Sequence, residues 1–193
     1  PFVAVACTNR STSSEQDEMR HWNNVLQQIN ALLLENKARQ TLDLAKQTLP
    51  EILESAEKNG TTDTLIYYAR KIFNACGNNY INTKQYKDGI DYMDSIGNHP
   101  LIREHCPHEL LSFKAGLNQL YGNNPEAVRL AEDYLQLPVC TSANDFIRQA
   151  EIISGVYMYS GNNLPKAIQI LEKAIDVYRK GGNFPNMLRI MSR

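Results

Sequence analysis

The sequence lacks an excess of charge of either sign, and it lacks any long apolar run. Its 193 residues include 20 Lys and Arg against 21 Asp and Glu, so no long-range field attracts nucleic acid or an anionic membrane. The longest aliphatic run, Ala31 to Leu34, is far shorter than the roughly 20 residues that a membrane-spanning helix needs. We therefore expect no nucleic-acid partner and no membrane span within these residues.

Cysteine is scarce, and the four that are present lie far apart. Cys7, Cys76, Cys106 and Cys140 are all at least 30 residues from one another, which fits neither a zinc knuckle nor a C-x-x-C redox motif. Buried thiols are expected instead, above all for Cys76 on an apolar helix face. The sequence also has no G-x-S-x-G, H-E-x-x-H, P-loop or dinucleotide glycine pattern. We expect neither an enzyme nor a cofactor.

One short segment is rich in histidine and is the best candidate for a metal centre. His105, Cys106 and His108 are close enough in sequence to supply three zinc ligands, with Glu104 or His99 as the fourth. The proline among them and the loop around them do not preset tetrahedral geometry, and polar residues are common at helix starts. A metal-dependent hydrolase built on this segment is therefore a remote alternative, and we predict no metal site.

Apolar residues recur at helical spacing along most of the chain. Beyond Ser14 almost nothing alternates with the period of a strand, and stripes with a period near 3.6 residues follow one another. Pro50 is expected to kink or split the second helix. The predicted helices span about 15–34, 38–59, 63–81, 86–96, 107–121, 125–135, 142–160 and 165–180, and a ninth begins after 182.

A repeated Gly-Asn-Asn motif marks two of the predicted helix boundaries. Gly122-Asn-Asn and Gly161-Asn-Asn each precede a proline and an apolar helix. We predict that each glycine ends a helix in the left-handed conformation and that the proline presets the first turn of the next. A third copy, at Gly77, has apolar residues in phase on both sides and is predicted to lie inside a helix. Gly77, Asn78 and Asn79 are poor helix formers and together cost up to ~2 kcal/mol of helix stability relative to three alanines. We therefore expect that close packing against a neighbouring helix requires the glycine.

The helical pairs resemble the tetratricopeptide repeat (TPR), whose pattern is W-x2-L-G-x2-Y followed by A-x3-F-x2-A. The second pair carries Phe73, Cys76-Gly77, Tyr80, Gly89 and Met93 at these positions. On this alignment Gly77 lies where the two helices of one pair press together. In the second helix of each pair, the first alanine of this pattern, where a small residue is expected, falls at Ala38, Gly89, Ala127 and Ala167.

The resemblance covers about residues 15–180 and implies an all-α fold. The expected architecture is a right-handed α-solenoid of about four TPR-like antiparallel helix pairs plus the start of a fifth. The repeat spacing is longer than the 34 residues of a regular family member. Another array of helical hairpins is the alternative.

In this family the first helix of each pair lines a concave surface. The resemblance implies that this surface carries Arg20, Asn23, Gln27, Asn30, Lys71, Asn74 and Asn78. Amide side chains both donate and accept hydrogen bonds, which suits an extended peptide, and Arg20 and Lys71 suit a carboxylate. We expect the groove to become more apolar in later repeats, through Glu109, Ser112, Gln119, Gln149, Ile152, Val156 and Tyr159. An ordinary solvated helix face is the alternative.

The two ends of the chain differ from its middle. Ala4-Val-Ala before Cys7 fits the end of an export signal or of a bacterial lipobox, in which Cys7 is lipidated. An ordinary apolar tail is the alternative. We accordingly divide the chain into a signal or lipobox remnant with a flexible linker (1–14), a TPR-like domain (15–180) and the truncated first helix of a further repeat (181–193).

Taken together, the chain is similar to the N-terminal extracytoplasmic region of bacterial TPR-containing sensor proteins. This resemblance implies a non-enzymatic module that binds a protein or peptide, with membrane contact only through a lipid anchor or a downstream segment. Binding would change the curvature of the array or the geometry of a homodimer. The alternative function is a lipoprotein scaffold of an envelope assembly with no signalling role.

Overall fold

The computed structural model describes residues 13–138 and 143–180. The predicted all-α class is confirmed, because these residues form nine helices and no strand. Cys7, Cys140 and the segment 181–193 lie outside the described residues. The helices are α1 (Ser13–Leu34), α2 (Ala38–Asn59), α3 (Asp63–Asn82), α4 (Tyr86–Ile96), α5 (Pro100–His105), α6 (Pro107–Tyr121), α7 (Asn124–Gln136), α8 (Ala143–Tyr159) and α9 (Leu164–Lys180).

Two features of this helix order differ from the sequence prediction. Helix α2 is not split at Pro50 and continues through it, because Pro50 is exposed and water can replace the backbone hydrogen bond that its ring removes. Helix α5 was not predicted. Its first turn is held by the His99 ring, whose Nδ1 accepts a hydrogen bond from the Leu101 amide at 3.2 Å, and it buries Leu101 and Ile102.

Four similar turns join successive helices into pairs: α1 with α2, α3 with α4, α6 with α7, and α8 with α9. Each turn has one residue in the left-handed conformation, with φ of 55°, 59°, 95° and 44° at Asn36, Lys84, Gly122 and Asn162. The left-handed glycine predicted at Gly122 is confirmed. The one predicted at Gly161 is wrong, because Asn162 takes that conformation, which asparagine tolerates.

The left-handed residues give a common reference for comparing the pairs. Five positions beyond each of them lies a buried small residue: Thr41, Gly89, Ala127 and Ala167. Thr41 therefore holds the position that the sequence alignment gave to Ala38, and its buried hydroxyl donates a hydrogen bond to the Lys37 carbonyl at 3.0 Å. The alignment of the first pair is thus wrong by three residues, which rotates the equivalent face of α1 by about 60°.

Each pair packs against the next one along the chain. The second helix of one pair lies against the first helix of the next, as α2 does on α3, α4 on α6 and α7 on α8. The first helices also contact one another in the order α1, α3, α6 and α8. The buried apolar residues form two clusters, and both include residues of α6. Helix α6 therefore joins the two halves of the core.

Gly77 lies inside α3, as predicted, but its close neighbour is in another pair. A Cβ atom at Gly77 would lie 2.4 Å from the ring of Phe113 on α6. The prediction that it faces the other helix of its own pair is wrong. The constraint that keeps glycine here is the approach of α3 to α6.

Candidate functional site

A groove of about 520 Å³ lies between α1 and α3. Leu26 and Leu33 give its α1 wall an apolar character, and none of the residues that line it is acidic. The α3 wall is polar, with three asparagines four residues apart and a lysine at one end. The principal lining residues are Leu26, Asn30, Leu33, Tyr67, Lys71, Asn74, Asn78, Asn79 and Asn82.

Four of the seven residues predicted for the concave face come together in this groove: Asn30, Lys71, Asn74 and Asn78. The other three, Arg20, Asn23 and Gln27, are exposed on α1 but do not line it. Arg20 lies 3.5 Å from the Asp17 carboxylate instead. The register of the turns explains the absence of Arg20 and Gln27, because the α1 residues equivalent to Lys71, Asn74 and Asn78 are Asn23, Leu26 and Asn30.

Helix α3 presents its polar wall because its opposite face is buried. The Thr62 hydroxyl accepts a hydrogen bond from the Leu65 amide at 3.2 Å and fixes the start of the helix. Ile72, Phe73 and Cys76 are fully buried, and the Phe73 ring meets the Phe113 ring edge to face at 6.2 Å between centroids. Residues spaced by three or four then share the face towards α1.

The amides of this wall are ordered by local hydrogen bonds. Asn78 Nδ2 donates to the Asn74 carbonyl at 2.9 Å, and Asn79 Nδ2 donates to the Ala75 carbonyl at 2.8 Å. Within the described part of the chain, the buried Oδ1 of Asn79 has no hydrogen-bond partner. At the end of the wall, Lys71 Nζ lies 5.8 Å from the centroid of the Tyr67 ring, a cation–π distance. The groove therefore offers amides, one cation and an apolar wall side by side.

The predicted continuation of the groove over the later helices is wrong for most of the residues concerned. Glu109, Ser112, Gln149 and Val156 are buried, none of them more than 2% exposed. Gln149 and Val156 lie on α8, which packs against α6, and the Glu109 carboxylate pairs with Arg70 of α3. These four residues therefore do not extend the groove that lies between α1 and α3.

The histidine-rich segment is divided among separate contacts. His99 Nε2 lies 3.1 Å from the Glu57 carboxylate on α2, and His108 Nε2 donates to the Pro138 carbonyl at 2.7 Å. Cys106 is completely buried. Among the described residues no group of three or more His, Cys, Asp or Glu side chains could hold a metal ion.

The Cys76 thiol is expected to be chemically inert in the folded protein. Burial raises its pKa to about 12, against the opposing effect of the Tyr92 hydroxyl at 3.7 Å. At pH 8 only about one thiol in 10,000 is then ionised. Iodoacetamide should leave Cys76 unmodified in the native protein and alkylate it fully in denaturant, as measured by peptide mass spectrometry. Alkylation at similar rates in both states would contradict the burial of this thiol.

No described helix has both the length and the apolar character that crossing a membrane requires. No protein-family model matches the sequence, and no curated protein is significantly similar to it. The resemblance to the TPR family therefore stays a prediction. The function has to be argued from the groove.

Proposed function

We propose that this protein is a non-enzymatic helical repeat module that binds a protein or peptide in the groove between α1 and α3. One observation carries the proposal: an apolar wall on α1 faces a wall on α3 in which asparagines recur every four residues and a lysine lies at one end. Each wall suits a different part of an extended peptide. Amides pair with the peptide backbone, and the apolar wall takes its side chains.

The architecture proposed for this module is a right-handed α-solenoid of TPR-like pairs. Two findings support it. The four pairs close with similar turns, and each pair contacts mainly its neighbours along the chain. Stacked pairs of this kind bury a continuous core between them and leave an extended surface along one side.

The chemistry of the groove favours a peptide with an acidic side chain beside an apolar one. Lys71 is the one charged residue among the groove's lining residues, and a carboxylate next to it gains a charge-assisted hydrogen bond. An apolar side chain elsewhere on the same peptide would then pack against Leu26 or Leu33 on the α1 wall. The role in an envelope signalling protein stays a prediction from the sequence resemblance.

Asn74→Ala is expected to weaken peptide binding about tenfold, because it removes an amide from the centre of the wall. The probe is a dodecapeptide selected by phage display against the full chain, and its Kd is measured by isothermal titration calorimetry. Because alanine is a better helix former than asparagine, the substitution should not unfold α3. A loss of affinity can then be assigned to the missing amide.

Asn24→Ala is the matched control, because Asn24 is an exposed asparagine on α1 that does not line the groove. It should change the Kd less than about twofold. Equal affinities of the Asn74 variant and the wild type would contradict peptide binding in the groove. The failure of any peptide to bind would contradict it as well.

A further inference from the structure

A hydrogen bond links the second half of the molecule to the groove. Arg148 on α8 donates its Nε to Oδ1 of Asn78 on α3 at 2.8 Å, across 70 positions of sequence. The same guanidinium lies 3.5 Å from the Glu151 carboxylate in its own helix. Arg148 thus contacts a groove residue on α3, although α8 packs mainly against α6, α7 and α9.

An apolar contact accompanies this hydrogen bond. Gly116 on α6 leaves room above the helix, where a Cβ atom would lie 2.7 Å from Cγ2 of Ile152 and 4.0 Å from Cδ1 of Ile81. Ile152 packs against the first core cluster, although the buried residues of α8 belong to the second. Helix α8 therefore lies over Gly116 of α6, and Arg148 supplies a polar contact between α8 and α3.

The polar contact engages the amide that a peptide would need. Asn78 Nδ2 already donates to the Asn74 carbonyl at 2.9 Å, and Oδ1 accepts from Arg148. Both ends of the Asn78 side chain are thus in use when the groove is empty. Oδ1 keeps a second lone pair, so a peptide releases the guanidinium only by turning the Asn78 amide towards the groove and away from Arg148.

We propose that Arg148 is a latch that holds α8 against α3 while the groove is empty, and that a peptide engaging Asn78 releases it. This inference rests on the peptide site proposed above. The latch couples occupancy of the groove to the position of α8 and of α9, which packs on it. Because such coupling is reciprocal, any change that loosens α8 must raise the affinity of the groove for the peptide.

The latch itself is tested without a ligand, by hydrogen exchange of the backbone amides of residues 148–156. Arg148→Met keeps the aliphatic stem and removes the donor, and Asn78→Ala removes the acceptor. Each is expected to speed exchange about threefold to tenfold, and the double variant should be no faster than Arg148→Met alone, which also loses the contact with Glu151. Arg179→Met is the control, because Arg179 pairs with Asp176 inside its own helix. Additive effects or unchanged exchange would overturn the latch.

The release step is tested with the phage-selected dodecapeptide. Arg148→Met should bind it about threefold to tenfold more tightly than the wild type, and saturating peptide should speed exchange of residues 148–156 in the wild type. Weaker or unchanged binding by the variant, with normal binding by the wild type, would overturn the latch but leave the peptide site standing. If no peptide binds the wild type, the proposed function fails and the release step fails with it.

Discussion

Gly77→Ala is expected to lower the free energy of unfolding by about 2 to 3 kcal/mol. The added methyl group would lie 2.4 Å from atoms of the Phe113 ring. That ring cannot retreat easily, because it is fully buried and packs edge to face on Phe73. Either α3 and α6 separate or the ring leaves its preferred rotamer. Urea unfolding followed by circular dichroism measures the difference.

Gly155→Ala is the matched control, because Gly155 occupies the same position relative to the turn of its own pair. A methyl group there meets only Gln119 Oε1 at 3.8 Å. Alanine should therefore stabilise α8 by about 0.5 to 1 kcal/mol through its higher helix propensity. If both variants were stabilised alike, the close approach of α3 and α6 would be contradicted.

Arg70→Met is expected to destabilise the protein by about 3 kcal/mol. Arg70 Nε lies 3.2 Å from a carboxylate oxygen of Glu109, whose side chain is only 2% exposed. Arg70 also donates to the His105 carbonyl at the end of α5. Its removal leaves a buried carboxylate without its cation, so the cost exceeds that of an exposed ion pair. Thermal and urea unfolding check the size of the loss.

Two further variants separate the buried charge from other effects of this change. Arg70→Met combined with Glu109→Gln should recover part of the lost stability, because no unpaired charge then remains buried. Arg103→Met, which removes an exposed arginine 3.3 Å from Glu104, should cost less than about 1 kcal/mol. Similar losses for Arg70→Met and Arg103→Met would show that burial of Glu109 does not matter.

Local features of the fold were predictable because short stretches of sequence determine them. The apolar period located the long helices, and Gly122 with its following asparagines located one turn. Helix α5 escaped prediction because a capping histidine, a proline and two apolar residues make too short a pattern. Gly77 was placed inside a helix correctly but given the wrong neighbour, since periodicity identifies a buried face and not what covers it.

The site was half predictable for a related reason. Lys71, Asn74 and Asn78 were found because Gly89 fixes the register of their pair. In the first pair the small residue is Thr41, whose hydroxyl donates a hydrogen bond to the backbone, and a pattern of small apolar residues does not include threonine. Arg20 and Gln27 were chosen in place of Leu26 and Leu33 as a result. The contact of Arg148 with Asn78 depends on packing over Gly116 and has no local signal.

The central claim is that a peptide binds between α1 and α3, and amide chemical-shift mapping on the full chain tests it most directly. Titration with the phage-selected dodecapeptide should produce its largest shifts in residues 26–33 of α1 and 71–82 of α3, with smaller shifts in α8 around Arg148. Largest shifts on α7 and α9, around the apolar surface lined by Leu135 and Val177, with none in α3, would contradict the account.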